Sequence, residues 1–297
     1  MQPRYRLFLY CVCFVWLWSA CTNPRQTKQS VFLTFTDSYQ REVVLEQKPQ
    51  RIVSLSPAIT ELLFMLGEGD KLVGVSDFCN YPEEACRLPK VGGMQNINME
   101  SLISLHPDVV LIGSMVSQED VDKIEKLHIP VIALIEESDI TGISTLLLNL
   151  GKITDNDSAA RREAARWEET LEAFRQQNIR QTGTPKRVYY VVGFGETGDF
   201  TAPKGSHIHQ IIELAGCRNV GEDVTTWNVS REFLFQAEPD IIIVRKEDME
   251  HFCSLYPYTS LRAVKEHKVF PIESSWIDIV TPRNLHAIAY IQHIATF

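Results

Sequence analysis

Two stretches of the chain carry the same order of polar and apolar positions. Glu100 to Ile112 reads Glu-Ser-Leu-Ile-Ser-Leu-His-Pro-Asp-Val-Val-Leu-Ile, and Glu232 to Val244 reads Glu-Phe-Leu-Phe-Gln-Ala-Glu-Pro-Asp-Ile-Ile-Ile-Val. In each, an acidic residue opens a short amphipathic segment, Pro-Asp follows, and an unbroken aliphatic run closes the box. Pro107 and Pro239 cannot continue a helix and bar the preceding residue from helical geometry, so the helix stops there. A continuous β-branched run after such a stop predicts a parallel strand buried on both faces. The spacing between the boxes is constant at every position, as two lobes of similar build would leave it.

Around the first box, apolar runs alternate with helical periodicity. Val31 to Phe35 and Arg41 to Leu45 alternate like an edge hairpin. Arg51 to Ser56 reads as a buried strand stopped by Pro57, with a helix from Thr60 to Leu66 ending at Gly67. Leu72 to Val75 is a second strand, followed by a turn-rich loop from Asp77 to Asn96. After the box come a helix from Gln118 to Leu127, a strand from Val131 to Ile135 and a helix from Asp139 onward. The second half repeats the scheme: a strand from Arg187 to Val192, a helix from His207 to Ala215, the second box, a strand from Val269 to Ile272 and a last helix from Thr281 to Ile294. Strand and helix alternating at this spacing predict doubly wound parallel sheets. Between the halves lies a polar, alanine-rich helix with Trp167, Leu171 and Phe174 on one side, read as an interdomain connector. The expected units are residues 22–48 as tether and edge hairpin, 49–152 as N-terminal lobe, 153–182 as connecting helix and 183–297 as C-terminal lobe.

Composition changes this picture little. The 297 residues suffice for two ordinary domains, and 44% hydrophobic with 23% charged residues is usual for a globular chain. A formal charge of −9 argues against a nucleic-acid partner. The first residues differ in kind. Arg4 and Arg6 precede an apolar run from Leu7 to Trp18, then Ser19-Ala20-Cys21, which is the layout of a secretory signal. Small residues before a cysteine resemble the bacterial lipoprotein processing site, so residues 1–21 are expected to be a signal peptide with Cys21 lipidated; Trp18 is bulkier than that pattern usually carries. The alternative is an uncleaved anchor or a signal cut elsewhere, and either way the protein is exported. Cys79, Cys86, Cys217 and Cys253 then remain in a disulfide-permissive compartment. A Cys79–Cys86 bridge is preferred on proximity alone, with free, small apolar side chains as the equal alternative.

Candidate chemistry is sparse. Gly193-Phe-Gly-Glu-Thr-Gly198 follows a strand with dinucleotide-binding spacing, but Asp199-Phe-Thr-Ala-Pro-Lys intervenes before any helix can meet a pyrophosphate. His207 and His209 point to different faces of a helix and have no neighbouring ligand at metal spacing, so no metal site is expected. His286 and His293 share a face of the last helix, which is common without metal. Loop aromatics stand out instead: Phe78, Tyr81, Phe200, Trp227 and Trp276, drawn from both halves and set among Gly, Pro, Asn and Thr. Loops at the carboxyl edge of parallel strands are where such folds bind ligands. Aromatic faces there suit a large, flat, partly apolar molecule.

Arg51-Ile-Val-Ser-Leu-Ser-Pro-Ala-Ile-Thr-Glu61, Phe78-Cys-Asn-Tyr-Pro82, Asn98-Met-Glu100 with its Pro-Asp box, and Trp227-Asn-Val-Ser-Arg-Glu232 resemble the periplasmic cobalamin-binding proteins of ATP-driven importers. The wider family of substrate-binding proteins with a single backbone helix also serves siderophores and haem. The resemblance covers about Gln50 to Ile294. It implies the class III periplasmic binding protein fold, two Rossmann-like lobes joined by one long helix, with a small hinge motion, no cofactor and no catalysis. It further implies a monomer that captures cobalamin or another corrinoid, the cobalt supplied by the ligand. Ser56, Pro57 and Ala58 would lie at the cleft, Phe78 and Tyr81 in the first ligand loop, and Phe200, Trp227 and Trp276 in the second lobe. Met94 stands where the compared cobalamin binders carry a second tryptophan, which leaves haem or a ferric siderophore as the alternative ligand. Glu100 and Glu232 match the two glutamates offered to arginines of a dimeric membrane permease. On their own they are also ordinary first-turn acids that complement a helix dipole. A secreted Rossmann-like enzyme using the glycine loop is the remaining, weaker reading.

Overall fold

The computed structural model describes residues 31–93, 96–135, 139–180 and 183–297. The expected signal segment with Cys21, the first part of the tether, and Met94 lie outside the described residues. The chain opens with the antiparallel hairpin β1 (Leu33–Thr36) and β2 (Glu42–Leu45). The hairpin turn is fastened to the N-terminal lobe by Ser38 N donating to Ala133 O (2.9 Å) and Ala133 N donating to an Asp37 carboxylate oxygen (3.2 Å).

The N-terminal lobe follows as β3 (Ile52–Ser54), α1 (Pro57–Met65), β4 (Leu72–Val75), the short helix α2 (Glu83–Cys86), the small hairpin β5 (Gly92–Gly93) and β6 (Asn96–Ile97), α3 (Met99–Ser104), β7 (Val109–Ile112), α4 (Gln118–Glu125), β8 (Val131–Ala133) and α5 (Gly142–Thr154). Its parallel sheet has the order β4-β3-β7-β8, with Ile52 opposite Val109 and Val110 opposite Val131. The connector is α6 (Asp157–Ile179). The C-terminal lobe contains β9 (Arg187–Val191), β10 (Asp199–Phe200), α7 (His207–Leu214), β11 (Arg218–Asn219), β12 (Asn228–Val229), α8 (Arg231–Ala237), β13 (Ile241–Arg245), α9 (Met249–Ser254), α10 (Arg262–Lys265), β14 (Val269–Ile272), α11 (Ser274–Ile277) and α12 (Asn284–Ile294). Its parallel sheet runs β11-β9-β13-β14, with Ile242 opposite both Tyr189 and Val269. Strand for strand, the two orders are the same. The repeated boxes supply the third strand of each sheet, and β7 and Ile241 to Val244 of β13 are buried throughout.

The boxes also explain how each sheet is held in register. Pro107 and Pro239 follow residues forced into the left-handed region, His106 (φ 44°) and Glu238 (φ 42°), which end the preceding helices. In the first lobe the Asp108 carboxylate then accepts the backbone N–H of Gln50 (2.8 Å) and of Arg51 (2.9 Å), just before β3. In the second lobe Asp240 accepts from Arg187 N (2.9 Å), the first residue of β9. Each aspartate thus ties the start of the third strand to the start of the first. The backbone reciprocates, with Asp108 N donating to Arg51 O and Asp240 N donating to Arg187 O.

One hydrophobic core runs from the inner face of the first sheet through α5 and α6 to the inner face of the second, and each sheet has its own smaller cluster on the outer face. The connector begins later than residue 153. Ile153 and Thr154 belong to α5, and a left-handed Asp155 (φ 54°) breaks the chain before α6 starts at Asp157. The 23 residues of α6 span about 34 Å at 1.5 Å per residue. Its buried side chains are Ala159, Ala160, Ala164, Trp167 and Leu171, with Phe174 packed at the margin of the core. Trp167 Nε1 donates to Ile140 O (3.0 Å) in the first lobe, and Asn178 Nδ2 donates to Leu214 O (2.8 Å) in the second. No helix among the described residues is long and apolar enough to cross a membrane. Replacing Asp108 or Asp240 by alanine leaves strand-end N–H groups without their acceptor, so each change should lower the unfolding free energy by about 1–2 kcal/mol. Urea titration of the two variants checks this, and asparagine at either site should retain part of the loss.

Candidate functional site

In both lobes the strand order reverses between the first and third strands, and crevices for ligands form at the carboxyl ends of strands at such switch points. On the first lobe this edge is formed by the sequence after β3. Ser56 caps α1, its hydroxyl accepting from Ile59 N at 3.5 Å, and Pro57 occupies the first helical turn. The helix therefore starts at Pro57 rather than Thr60, because proline is well suited to a first turn that needs no donor. Ser56 and Ala58 are buried and Pro57 is half-buried. Beyond β4, the loop carrying Phe78 and Tyr81 is anchored by Cys79. The Cys79 thiol is fully buried 3.2 Å from both Thr60 Oγ1 and Ser76 Oγ, and Lys90 Nζ donates to Cys79 O at 2.7 Å. With Cys79 held inward, Phe78 and Tyr81 project outward, 56% and 48% exposed.

This anchoring corrects the expected Cys79–Cys86 disulfide. All four cysteines among the described residues are free thiols. Cys86 sits exposed at the end of α2 and donates to Asn80 O at 3.2 Å, so the short loop leaves one sulfur in the core and the other at the surface. Burial raises the Cys79 thiol above its ordinary pKa against the opposing hydrogen bonds of Ser76 and Thr60.

In the second lobe the glycine loop after β9 leads into a strand, β10, and not into a helix. Phe200 lies on β10, which pairs with β12, and Thr201 N donates to Trp227 O at 2.9 Å. The register sets Phe200 opposite Asn228, so Trp227, one residue earlier, points to the other face of the ribbon and is 41% exposed. Below them Asp199 is buried and accepts from the Tyr258 hydroxyl and from Arg231 Nε at 3.2 Å. Trp276, on α11, is half-buried. Its ring lies 5.4 Å from that of His286 and edge-on to Tyr290 at 6.4 Å, both on α12. His207 and His209 separate as the helical spacing predicts, His207 Nε2 bonding Ile277 O (2.9 Å) and His209 Nδ1 facing Asn219 Nδ2 (3.2 Å).

A cleft of about 780 Å³ opens between the lobes and runs along α1 past its C-terminal end, lined by Glu61, Phe64, Met65, Gly67, Gly69, Asp70, Tyr81, Pro82 and Glu84 on one side and Pro282, Arg283, Leu285 and His286 on the other. Of the five loop aromatics only Tyr81 is in this lining; Trp276 reaches it through His286. Glu61 and Arg283 form an ion pair across the cleft wall. Arg283 Nε donates to Glu61 Oε2 at 3.1 Å and Nη2 donates to Oε1, and the Arg283 guanidinium lies 4.7 Å from the Tyr81 ring centroid. The two side chains are 4% and 9% exposed. Neither residue had been singled out from the sequence. The available signal was a charged residue on the buried face of an otherwise apolar helix, Ala58 to Leu63, which requires a partner somewhere in the fold.

Glu100 and Glu232 occupy the same place in their lobes. Each is exposed and lies two residues after a capping residue, Asn98 accepting from Ser101 N (3.0 Å) and Ser230 accepting from Phe233 N (3.1 Å).

Two parallel-sheet lobes of identical strand order, facing across a cleft and joined by one long helix, define a class III periplasmic binding protein. The chain belongs to the periplasmic binding protein family, whose model matches residues 52–275. It is similar to an ABC transporter substrate-binding lipoprotein, YvrC, of Bacillus subtilis, with 25% identity over 91% of this chain and 90% of the relative. It is also similar to the vitamin B12-binding protein of Pectobacterium carotovorum, with 30% identity over 66% of this chain and 71% of the relative. Among solved structures, the vitamin B12-binding protein BtuF of Vibrio cholerae superposes with a TM-score of 0.71 at 24% identity, covering 84% of this chain and 97% of that one. The haem-binding protein RhuT of Roseiflexus superposes with a TM-score of 0.75 at 22% identity, covering 83% and 99%. The protein is therefore an exported substrate-binding component of an ABC transporter, which binds a small ligand for a membrane permease and is not an enzyme.

Burial raises the Glu61 carboxyl above the ordinary glutamate range, against the hydrogen bonds and charge of Arg283 and a hydrogen bond from Thr281. The folded protein therefore takes up this proton at a higher pH than the unfolded chain. The resulting contribution to stability is complete below the unfolded glutamate pKa of about 4.3 and is lost as pH rises through the folded value. Melting curves between roughly pH 3 and pH 7 should show the wild type gaining stability relative to Glu61→Gln as pH falls; parallel profiles would contradict the assignment.

Proposed function

We propose that the protein captures cobalamin or a related corrinoid between its lobes and delivers it to the permease of an ABC importer. The observation that carries this reading is the set of exposed aromatic rings at the ligand-binding edges of both sheets, Phe78 and Tyr81 on one lobe and Trp227 on the other. Rings of this kind bury much area against a flat macrocycle at little conformational cost. The relatives named as vitamin B12 binders support the same ligand class. Ser56, Pro57, Ala58, Phe200 and Trp276 complete the proposed contact surface, with Met94 as a further contact, and the protein acts as a monomer. The matched positions of Glu100 and Glu232 suit two-fold docking, each carboxylate accepting a two-pronged hydrogen bond from an arginine of one permease subunit. Lipidation at Cys21 holds the protein at the membrane.

A second reading, haem or a ferric siderophore, is favoured by one feature of the cleft. Tyr81 and His286 both line it, and a phenol or an imidazole can serve as an axial donor to haem iron.

Titration of the purified protein with cyanocobalamin, cobinamide, haemin and a ferric siderophore separates these readings. Saturable corrinoid binding is expected. Haemin binding with a shifted Soret band and no corrinoid binding would replace the first reading with the second. Trp227→Ala should weaken corrinoid binding by about 2 kcal/mol, roughly thirtyfold, with an unchanged melting temperature. The double variant Glu100→Lys, Glu232→Lys should bind ligand normally and abolish uptake into cells, and normal uptake would refute the docking role. A tagged fatty acid should label the wild type and not Cys21→Ala.

A further inference from the structure

We infer that Glu61 and Arg283 are the positioning residues of the cleft: their ion pair fixes the separation of the two lobes there and holds the Tyr81 ring against its wall. The inference rests on the ligand reading above only in taking this cleft as the place of capture.

The pair joins α1 of one lobe to the residue that precedes α12 of the other, 222 positions apart in the chain. A planar guanidinium meeting a carboxylate with two donors has one good geometry, unlike apolar surfaces, which tolerate sliding. The same guanidinium faces the Tyr81 ring, so moving Arg283 moves the packing partner of a proposed ligand contact. Thr281, two residues before Arg283, accepts the Arg283 backbone N–H at 3.3 Å and so helps to place the guanidinium. A second cross-lobe hydrogen bond, Ile140 N to Gln210 Oε1 at 2.9 Å, lies beside the connector, where Trp167 of α6 holds the carbonyl of the same Ile140. One contact thus ties the lobes beside the connector and the other at the cleft wall, so the ion pair opposes separation of the lobes on the side away from the connector contact.

Stability is a poor explanation for such a pair. Taking both charges out of water offsets much of their mutual attraction, and well-packed apolar replacements of a buried pair are often neutral or stabilising. A role in geometry is what distinguishes the charged pair from an apolar one.

The test uses the full-length chain carrying Glu61→Leu together with Arg283→Met, which avoids leaving one charge unpaired. The melting temperature is expected to stay at or above that of the wild type. Amide exchange in the Tyr81 loop of the ligand-free protein is expected to quicken by about tenfold or more. For whichever of cyanocobalamin or haemin binds, dissociation should accelerate by about tenfold with little change in association rate. Arg283→Lys keeps the charge but not the two-pronged geometry, and should also show the faster exchange. Wild-type exchange and dissociation in the double variant would overturn the inference. If neither probe binds the wild type, the ligand reading fails and the exchange measurement alone decides the positioning role.

Discussion

The aspartate that follows each interior proline holds the architecture together. A parallel strand shares no turn with its neighbour, so its register must come from packing or from a specific contact. Here Asp108 and Asp240 supply that contact from the first residue before the third strand, bonding backbone at the start of the first. With the starts aligned, the carboxyl ends align too, and the loops that carry Phe78, Tyr81 and Trp227 and lead to the caps Asn98 and Ser230 leave from the same edge. The proposed ligand side and the proposed docking side of each lobe are in this sense consequences of one carboxylate repeated twice.

The two lobes are wired alike beyond the sheet. In the first, β6 pairs with β5, whose Gly92 carbonyl accepts from Asp77 N next to Phe78, and one capping residue separates β6 from the helix bearing Glu100. Gly92 has φ 94° and a side chain there would meet Asn96 O at 2.6 Å, so the tight hairpin depends on glycine. In the second, β12 pairs with the strand bearing Phe200, and one capping residue separates it from the helix bearing Glu232. Arg231 adds a direct link, bonding Asp199 and the Gly195 carbonyl from the residue beside Glu232. A surface acid and a loop bearing an aromatic ring are therefore a few hydrogen bonds apart in each half.

Much of this was legible in the pattern of apolar positions. The boxes announced themselves because burial on both faces leaves no polar interruption, and prolines mark where helices stop. Boundaries set by a single backbone conformation were not legible. The left-handed Asp155 divides α5 from α6 at the point where the sequence turns polar, and the Thr-Asp-Asn-Asp-Ser run there signals a break, but not the single residue at which the backbone turns. The role of the Pro-Asp aspartates was hidden because their acceptor function is toward backbone, which carries no sequence signature. The proposed Cys79–Cys86 bridge failed for a related reason: closeness along the chain says nothing about which way a side chain points. The Glu61–Arg283 pair joins residues from opposite ends of the molecule, so periodicity within either helix reveals only that each charge needs company. The loop aromatics were recognised as a class by their setting among turn residues, whereas the packing of Tyr81 against Arg283 required the fold.

The long connector has a mechanical meaning. Its alanine and tryptophan face is embedded in the same core that reaches both sheets, so the lobes cannot swing apart about one loose joint without exposing that core. Displacement must be spread as slight flexure over many turns of a stiff rod, which resists in proportion to the deflection and springs back when released. A receptor suspended this way behaves as an elastic caliper: its jaws yield a little to whatever enters and return to a single resting gap when emptied.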